Sequence, residues 1–307
     1  MSLEDPAVIT CAISGAIANR EQCPAIPYTP EEYGAEARRI VDEGGVMIHI
    51  HARRPDGTPS FEIEDFRAIT EAIREQAGDV IINYSTGAIG VPVETRLAYL
   101  RELRPDVAAL NMGSMNYAKY SRSRRQFVFN TVFANPFDEI VELLTAMNEL
   151  GIKPEHECFD LGHIGSLEPL VHMGVLKTPL HVDCVMGVVG GAPPTARNLA
   201  AMVDNIPPIP EPGPASGGHV AASGTRNHWA VIGISRAQWT LISAALALGG
   251  SIRVGLEDNF YLPDGEMARS NGDLVAKARE MVVNAGRRPA TVAEARTLLG
   301  LAERAAA

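Results

Sequence analysis

Short apolar runs alternate with longer amphipathic segments along nearly the whole chain, and this alternation restricts the fold more than any other sequence feature. The runs are almost continuously apolar, which is typical of strands covered on both faces. Most segments between them begin at Thr or Pro and end at Gly, as helices do. Eight strands separated by helices predict an α/β fold, a (β/α)8 TIM barrel. The predicted strands are residues 7–16, 45–52, 79–87, 106–114, 156–162, 180–187, 228–235 and 251–259.

A doubly wound open sheet is the alternative fold. It favours a Gly-rich phosphate loop of the form GxGxxG after the first strand, and residues 12–20, AISGAIANR, do not have that pattern. We therefore predict one barrel domain over residues 1–307, with long loop excursions near 115–133 and 207–227. Loops of this length are often lids or partner contacts, although the second is equally compatible with a flexible surface excursion.

Composition and charge exclude several classes of protein. The net charge of −10 argues against a general nucleic-acid binder, which needs a basic face to neutralise phosphates. We find no apolar stretch of about 18 residues that would predict a membrane span, and no signal-peptide pattern. The four scattered cysteines predict buried, reduced thiols in a cytoplasmic protein. They are Cys11, Cys23, Cys158 and Cys184.

Two histidines end the second predicted strand. His49 and His51 are two positions apart, so on a strand both imidazoles point to the same side. Two imidazoles facing one point suit a divalent metal, while the alternative is two half-buried residues hydrogen-bonded to neighbours. The other histidines are predicted to be structural or surface residues. They are His156, His163, His172, His181, His219 and His228.

Polar side chains collect where the predicted strands end, which in a barrel of this kind is where the chemistry takes place. Glu257 or Asp258 on the last strand is placed to complete a metal site, because that strand closes against the first, beside the second. Two imidazoles and one carboxylate with an open position are a usual catalytic zinc site. The other polar residues at these ends include Ser85, Gly87, Asn111, Glu157 and Arg253.

Four motifs resemble those of the beta-keto acid cleavage enzyme family. They are HIHARRPDGTPS (49–60), YSTG (84–87), LNMGS (110–114) and GGSIRVGLEDN (249–259). They occur in the family's order, and the resemblance extends over nearly the whole chain. The two long loops have no clear counterpart in the family's best-described member.

This resemblance implies a zinc-dependent TIM barrel, usually a homotetramer. It implies that a β-keto acid reacts with acetyl-CoA to give acetoacetate and a new acyl-CoA by a retro-Claisen step. His49, His51 and Glu257 match the zinc ligands, and Arg253 and Asp258 match catalytic residues. Asp258 is either a general base or an acceptor that orients a neighbour, and Arg253 pairs with the substrate or with Asp258. The substrate-binding residues are Ser85 and Glu157, to which we add Gly87, Asn111 and Ile17.

Ile17 departs from the family's best-described member, which has a glutamate there that helps to bind a substrate ammonium. We therefore expect a substrate that is neutral or apolar at its far end. Two other functions stay open: a metal-dependent aldolase or lyase that acts through an enolate without CoA, and a non-catalytic ligand-binding barrel. Arg122, Arg124 and Arg125 are candidates for contact with CoA phosphates, or form a solvated basic loop or a subunit contact.

Overall fold

The computed structural model describes residues 2–209 and 226–301, which contain ten β-strands and ten α-helices. The strands are β1 (Ile9–Ala12), β2 (Met47–Ile50), β3 (Ile81–Ser85), β4 (Val107–Asn111), β5 (Met115–Ser121), β6 (Gln126–Phe133), β7 (Lys153–Cys158), β8 (His181–Met186), β9 (His228–Gly233) and β10 (Ser251–Val254). The helices are α1 (Pro30–Asp42), α2 (Ile63–Ala77), α3 (Val93–Leu103), α4 (Phe137–Leu150), α5 (Leu161–Gly165), α6 (Leu167–His172), α7 (Ala196–Asp204), α8 (Gln238–Ala247), α9 (Asn271–Asn284) and α10 (Val292–Leu299).

Eight of the strands form a closed parallel barrel in the order β1-β10-β9-β8-β7-β4-β3-β2. Thr10 of β1 lies opposite Met47 of β2 on one side and Arg253 of β10 on the other, so the first and last barrel strands are neighbours. Each of the eight predicted strands overlaps one of these, and the predicted α/β barrel is confirmed. The predicted fifth strand began at residue 156, whereas β7 begins at Lys153.

Local sequence signals explain where the helices begin. Thr29 and Glu32 form a capping box at the start of α1, and Pro30 occupies its first turn. Thr291 and Glu294 form a second capping box at α10. Such boxes satisfy backbone N–H groups that have no partner inside the helix. The sequence predicts helices in six of the segments between or after the strands, and α3, α5, α6 and α10 are not among them.

The connection over residues 115–133 is an antiparallel hairpin of β5 and β6 rather than an irregular loop. Its base packs against the barrel, because Met115 and Phe133 join an apolar cluster with Val185. The backbone N–H of Ala118 also donates to the carbonyl of Val189, with N···O 3.3 Å. The other predicted excursion, 207–227, lies mostly outside the described residues.

The N-terminal end of the barrel is closed by apolar side chains. Val8, Met47, Ile81 and Val107 point inward at that end and are fully buried. Side chains of α10 and the segment before it cover them, including Leu299. The predicted polar residues lie at the opposite end of the barrel.

Two further sequence predictions can be compared with this fold. All four cysteines are buried, as predicted, and each is a free thiol in this structure. None of the helices in the described ranges has both the length and the apolar character needed to cross a bilayer.

Candidate metal centre and active site

The two histidines of β2 and a glutamate that follows β10 meet inside the open end of the barrel. His49 Nε2 lies 3.7 Å from Glu257 Oε2, and His51 Nε2 lies 3.5 Å from Glu257 Oε1. One ligand atom from each residue falls within 4.8 Å of the others. The barrel closure thus brings together the three residues predicted as metal ligands, and Glu257 rather than Asp258 faces the imidazoles.

Backbone contacts hold this trio in place. The N–H of Glu257 donates to the carbonyl of Ala12 on β1, with N···O 3.2 Å. Gly15 allows the glutamate side chain to pass, since a Cβ at this positive-φ residue would lie 2.7 Å from Glu257 Cγ. On the other side, the hydroxyls of Ser14 and Tyr33 donate to the carbonyl of His51.

The protonation states of these residues suit a divalent cation. Burial and the nearby Arg253 hold the pKa of His49 well below its usual range, so the imidazole is neutral. Burial alone would raise the pKa of Glu257, but His51 and Arg253 lower it, so this carboxyl is ionised. His49 Nδ1 and Glu257 Oε2 are buried and have no hydrogen-bond partner among the described residues. Two imidazoles and a carboxylate are a donor set that zinc and related metals accept.

Arg253 of β10 connects the metal trio to two more carboxylates. Its side chain is 2% exposed. It donates to both carboxylate oxygens of Asp258 at 3.0 Å, to Glu157 Oε1 at 3.0 Å and to Glu257 Oε1 at 2.8 Å. Burial raises the pKa of Glu157 to about 7 and that of Asp258 to about 6, although Arg253 opposes both shifts. The guanidinium therefore offsets much of the negative charge buried here.

Replacing Arg253 with methionine is expected to lower the free energy of unfolding by about 3–5 kcal/mol, because it leaves buried carboxylates without their cation. Urea unfolding followed by circular dichroism measures the change. Arg67→Met is the matched control, since Arg67 lies on the surface and its ion pairs are expected to contribute at most about 1 kcal/mol. Equal stabilities of the two variants would contradict this role of Arg253.

Ser85, Gly87 and Asn111 meet on the neighbouring part of the rim. The Gly87 N–H donates to Ser85 Oγ at 3.2 Å. A Cβ at Gly87 would lie 3.1 Å from Asn111 Nδ2, so glycine keeps that space open. Asn111 pairs in register with Glu157 on the adjacent strand. Ser85, Gly87 and Asn111 thus lie together, one strand away from the Glu157 that binds Arg253.

Sequence comparison now adds to this geometry. The sequence profile described as "beta-keto acid cleavage enzyme" matches residues 6–301, nearly the whole chain. The chain belongs to the beta-keto acid cleavage enzyme family.

Among its relatives in this family, the chain is similar to a 3-keto-5-aminohexanoate cleavage enzyme of Fusobacterium nucleatum, with 37% identity over 96% of this chain and 97% of the relative. It is also similar to a 3-oxoadipate:acetyl-CoA acetyltransferase of Cupriavidus necator, with 33% identity over 97% of this chain and 96% of the relative. Its fold resembles that of apo ObcA, with a TM-score of 0.73 and 19% identity over 91% of this chain and 66% of ObcA.

A buried apolar cluster, here called the apolar wall, lies at the same end of the barrel as the predicted site residues. It was not predicted from the sequence. It consists of side chains from the hairpin and from the ends of β7 to β9, namely Met115, Phe133, Phe159, Val185, Val188 and Ile232. Tyr117 packs against it, and burial beside Glu257 and Asp258 raises the pKa of its phenol to about 12. The alternating aromatic residues of 127–133 were the available signal for this wall.

The remaining predicted residues lie at the periphery. Ile17 is 62% exposed in the loop after β1. Arg53 holds this loop by donating to the carbonyls of Gly15 and Ala18 at 2.8 Å and 2.6 Å. The three arginines of the 115–133 segment are exposed at the turn between β5 and β6. They are Arg122, Arg124 and Arg125.

Proposed function

We propose that this family member is a zinc-dependent acyltransferase that converts a β-keto acid and acetyl-CoA into acetoacetate and a new acyl-CoA. The observation that supports this most directly is the meeting of His49, His51 and Glu257 beside buried Arg253 at the open end of the barrel. The name of one relative includes acetyl-CoA, which supports the choice of acetyl-CoA as the second substrate. We propose that the protein is cytoplasmic and assembles as a homotetramer, as the family resemblance implies.

The proposed reaction is balanced without any further reagent. A proton leaves the carbon between the keto and carboxylate groups, and this carbon attacks the thioester carbonyl of acetyl-CoA. A carbon–carbon bond forms and the CoA thiolate leaves. The thiolate then attacks the original keto carbon, and the bond between that carbon and the attacking carbon breaks. The electron pair returns to the former nucleophile, which takes back the proton to give acetoacetate.

The chain's own residues have distinct parts in this proposal. Asp258 accepts the proton, directly or through a water, and Arg253 stabilises the negative charge that develops on oxygen. Ser85 and Asn111 orient the substrate carboxylate by hydrogen bonds, and Gly87 leaves the space that it needs. When bound at His49, His51 and Glu257, a metal ion supplies Lewis acidity that polarises the substrate carbonyl and carboxylate.

The apolar wall supports a substrate that is neutral or apolar at its far end. Its residues lie at the base of the hairpin and at the ends of β7 to β9, and we propose that the far end of the substrate packs against them while its carboxyl end lies at the polar rim. An ammonium group placed there would lose its hydration without a full set of partners, which is costly. Glu157 is the carboxylate that the family resemblance assigns to an amino group, and Arg253 already binds it.

A substrate screen tests the proposed reaction. The purified protein is incubated with a series of β-keto acids, with and without acetyl-CoA, and acetoacetate and acyl-CoA are measured by mass spectrometry. Product that requires acetyl-CoA supports the proposal. Cleavage without CoA would identify a lyase, and absence of turnover with every keto acid would favour a ligand-binding barrel.

We expect kcat/KM for an apolar β-keto acid to exceed that for an amino analogue of equal length by about tenfold or more, since an incompletely paired ammonium costs at least roughly 1.4 kcal/mol. Steady-state kinetics on both substrates measure this ratio. Ile17→Glu should lower the ratio of kcat/KM for the apolar substrate to kcat/KM for the amino substrate by less than tenfold. Ile17 is exposed, so a charge at this position stays hydrated. Ile17→Gln is the neutral control. A natural protein that favours the amino substrate would rule out the proposed preference.

A further inference from the structure

A second group of metal-ligating side chains lies inside the barrel next to the first, and one of its members, Glu155, is also within 4.8 Å of His49. Glu155 belongs to β7, and His181 and Asp183 belong to β8. All three residues are 0% exposed. One ligand atom from each lies within 4.8 Å of the others. None of the three is among the ligands that the proposed reaction requires.

Most of the polar atoms of this group lack hydrogen-bond partners. Both carboxylate oxygens of Asp183, both ring nitrogens of His181 and Glu155 Oε1 are buried without a hydrogen bond to any described residue. Leaving a single buried polar group unpaired costs about 1–3 kcal/mol, and more for a charged one. A native structure does not leave several together without an ion, a water or a proton between them.

The spacing of the donor atoms fits a cation. His181 Nε2 lies 3.3 Å from Asp183 Oδ1 and 3.7 Å from Glu155 Oε2. Ligands that surround a zinc-like ion tetrahedrally at about 2.0–2.1 Å lie roughly 3.4 Å from each other. The corresponding distances in the His49, His51 and Glu257 trio are 3.5 and 3.7 Å. The two groups thus have the same spacing.

The surrounding charges also favour a cation. Arg253 is the nearest positive side chain, 3.9 Å from Glu155, but its hydrogen bonds go to Asp258, Glu157 and Glu257. No hydrogen bond joins the carboxyl groups of Glu155 and Asp183, so they do not share a proton. Burial and the neighbouring Asp183 raise the pKa of Glu155 well above its usual range, so a cation at this place competes with a proton on Glu155. The side-chain amide of Asn83 donates to Glu155 Oε2 at 2.8 Å. Such a contact orients a ligating carboxylate.

We propose that Glu155, His181 and Asp183 bind a second divalent cation within the barrel, separate from the metal at the open end. The mixture of imidazole and carboxylate suits zinc, manganese or iron(II). The ion neutralises the carboxylates of Glu155 and Asp183. The guanidinium of Arg253 can then keep its hydrogen bonds to the carboxylates of the active site. This inference does not depend on the identity of the keto acid or on the use of CoA.

Metal analysis of the purified protein tests the proposal. After dialysis against metal-free buffer, inductively coupled plasma mass spectrometry is expected to find two equivalents of divalent metal per chain in the natural protein. Asp183→Asn and His181→Gln should each retain one equivalent, while His172→Gln, on the last residue of α6, should retain two. His49→Ala should also retain one, from the interior site. Circular dichroism shows whether each variant is folded.

The natural protein alone can decide the question if a variant does not fold. One equivalent per chain, with no second equivalent taken up when zinc or manganese is added, would overturn the proposal. Folded Asp183→Asn or His181→Gln protein with the same metal content as the natural protein would also overturn it. Loss of both equivalents from these two variants would show that the interior residues form no separate site.

Discussion

Replacing His49 with alanine is expected to remove one equivalent of metal and to lower kcat/KM by at least roughly 10³-fold, because Lewis-acid stabilisation contributes several kcal/mol. His49 supplies one of three protein ligands, and its loss leaves only His51 and Glu257. A water molecule can occupy the space left by the imidazole, but it binds the metal more weakly than the histidine does.

Metal analysis and steady-state kinetics on the same preparation measure both effects of His49→Ala. His172→Ala is the control, because this histidine on the last residue of α6 is not among the residues grouped as potential metal ligands. Unchanged metal content in folded His49→Ala protein would refute the assignment of the metal site. Loss of metal with normal turnover would refute its role in the reaction.

Asp258→Asn is expected to reduce turnover by roughly 10²–10⁴-fold while the protein keeps its metal, because the variant loses a proton acceptor without losing its shape. Asparagine can still accept a hydrogen bond from Arg253 through its side-chain oxygen, so the arginine keeps part of its contact. Single-turnover measurements with a deuterated keto acid would show whether proton removal is the step that slows.

A second aspartate, at the cap of α5, provides the control for this experiment. Asp160→Asn makes the same chemical change at the cap of α5, which it stabilises by accepting from the N–H of His163 at 3.0 Å. It should leave turnover nearly normal. If Asp258→Asn also leaves turnover nearly normal, Asp258 is not the base. Its role is then to accept hydrogen bonds from Arg253 and to orient it, which its bidentate contact supports.

The barrel strands were predictable because their signal is local. A strand covered on both faces is apolar along its whole length, and each of the eight runs is visible without knowledge of its neighbours. Helix α3 gave a weaker signal, since its N-cap is Pro92 with no side-chain cap and its buried residues include Arg96. The sequence indicates a loop at 115–133, because no Asn-Gly or Asp-Gly turn joins the two halves of this segment. Only the structure shows that β6 is a strand with mostly exposed residues.

Part of the candidate site was predictable for the same reason. His49 and His51 are two residues apart on one strand, so their common direction follows from strand geometry alone. The choice between Glu257 and Asp258 as the third ligand did not follow from the residues themselves. It depends on the turn after β10, where Glu257 faces the imidazoles and Asp258 binds Arg253.

The amino-acid sequence by itself determined the strands, most helices, the direction of the two histidines and the collection of polar residues at strand ends, because each depends on neighbours within a few positions. The tertiary structure decided which distant residues meet. Closure of the barrel brings Arg253 to Glu157, 96 positions away, and Asn83 to Glu155, 72 positions away. It also turns Glu155, His181 and Asp183 towards one another in the interior. The sequence predicted a structural or surface role for His181, because which side of a strand faces the barrel axis is fixed only when all eight strands are in register.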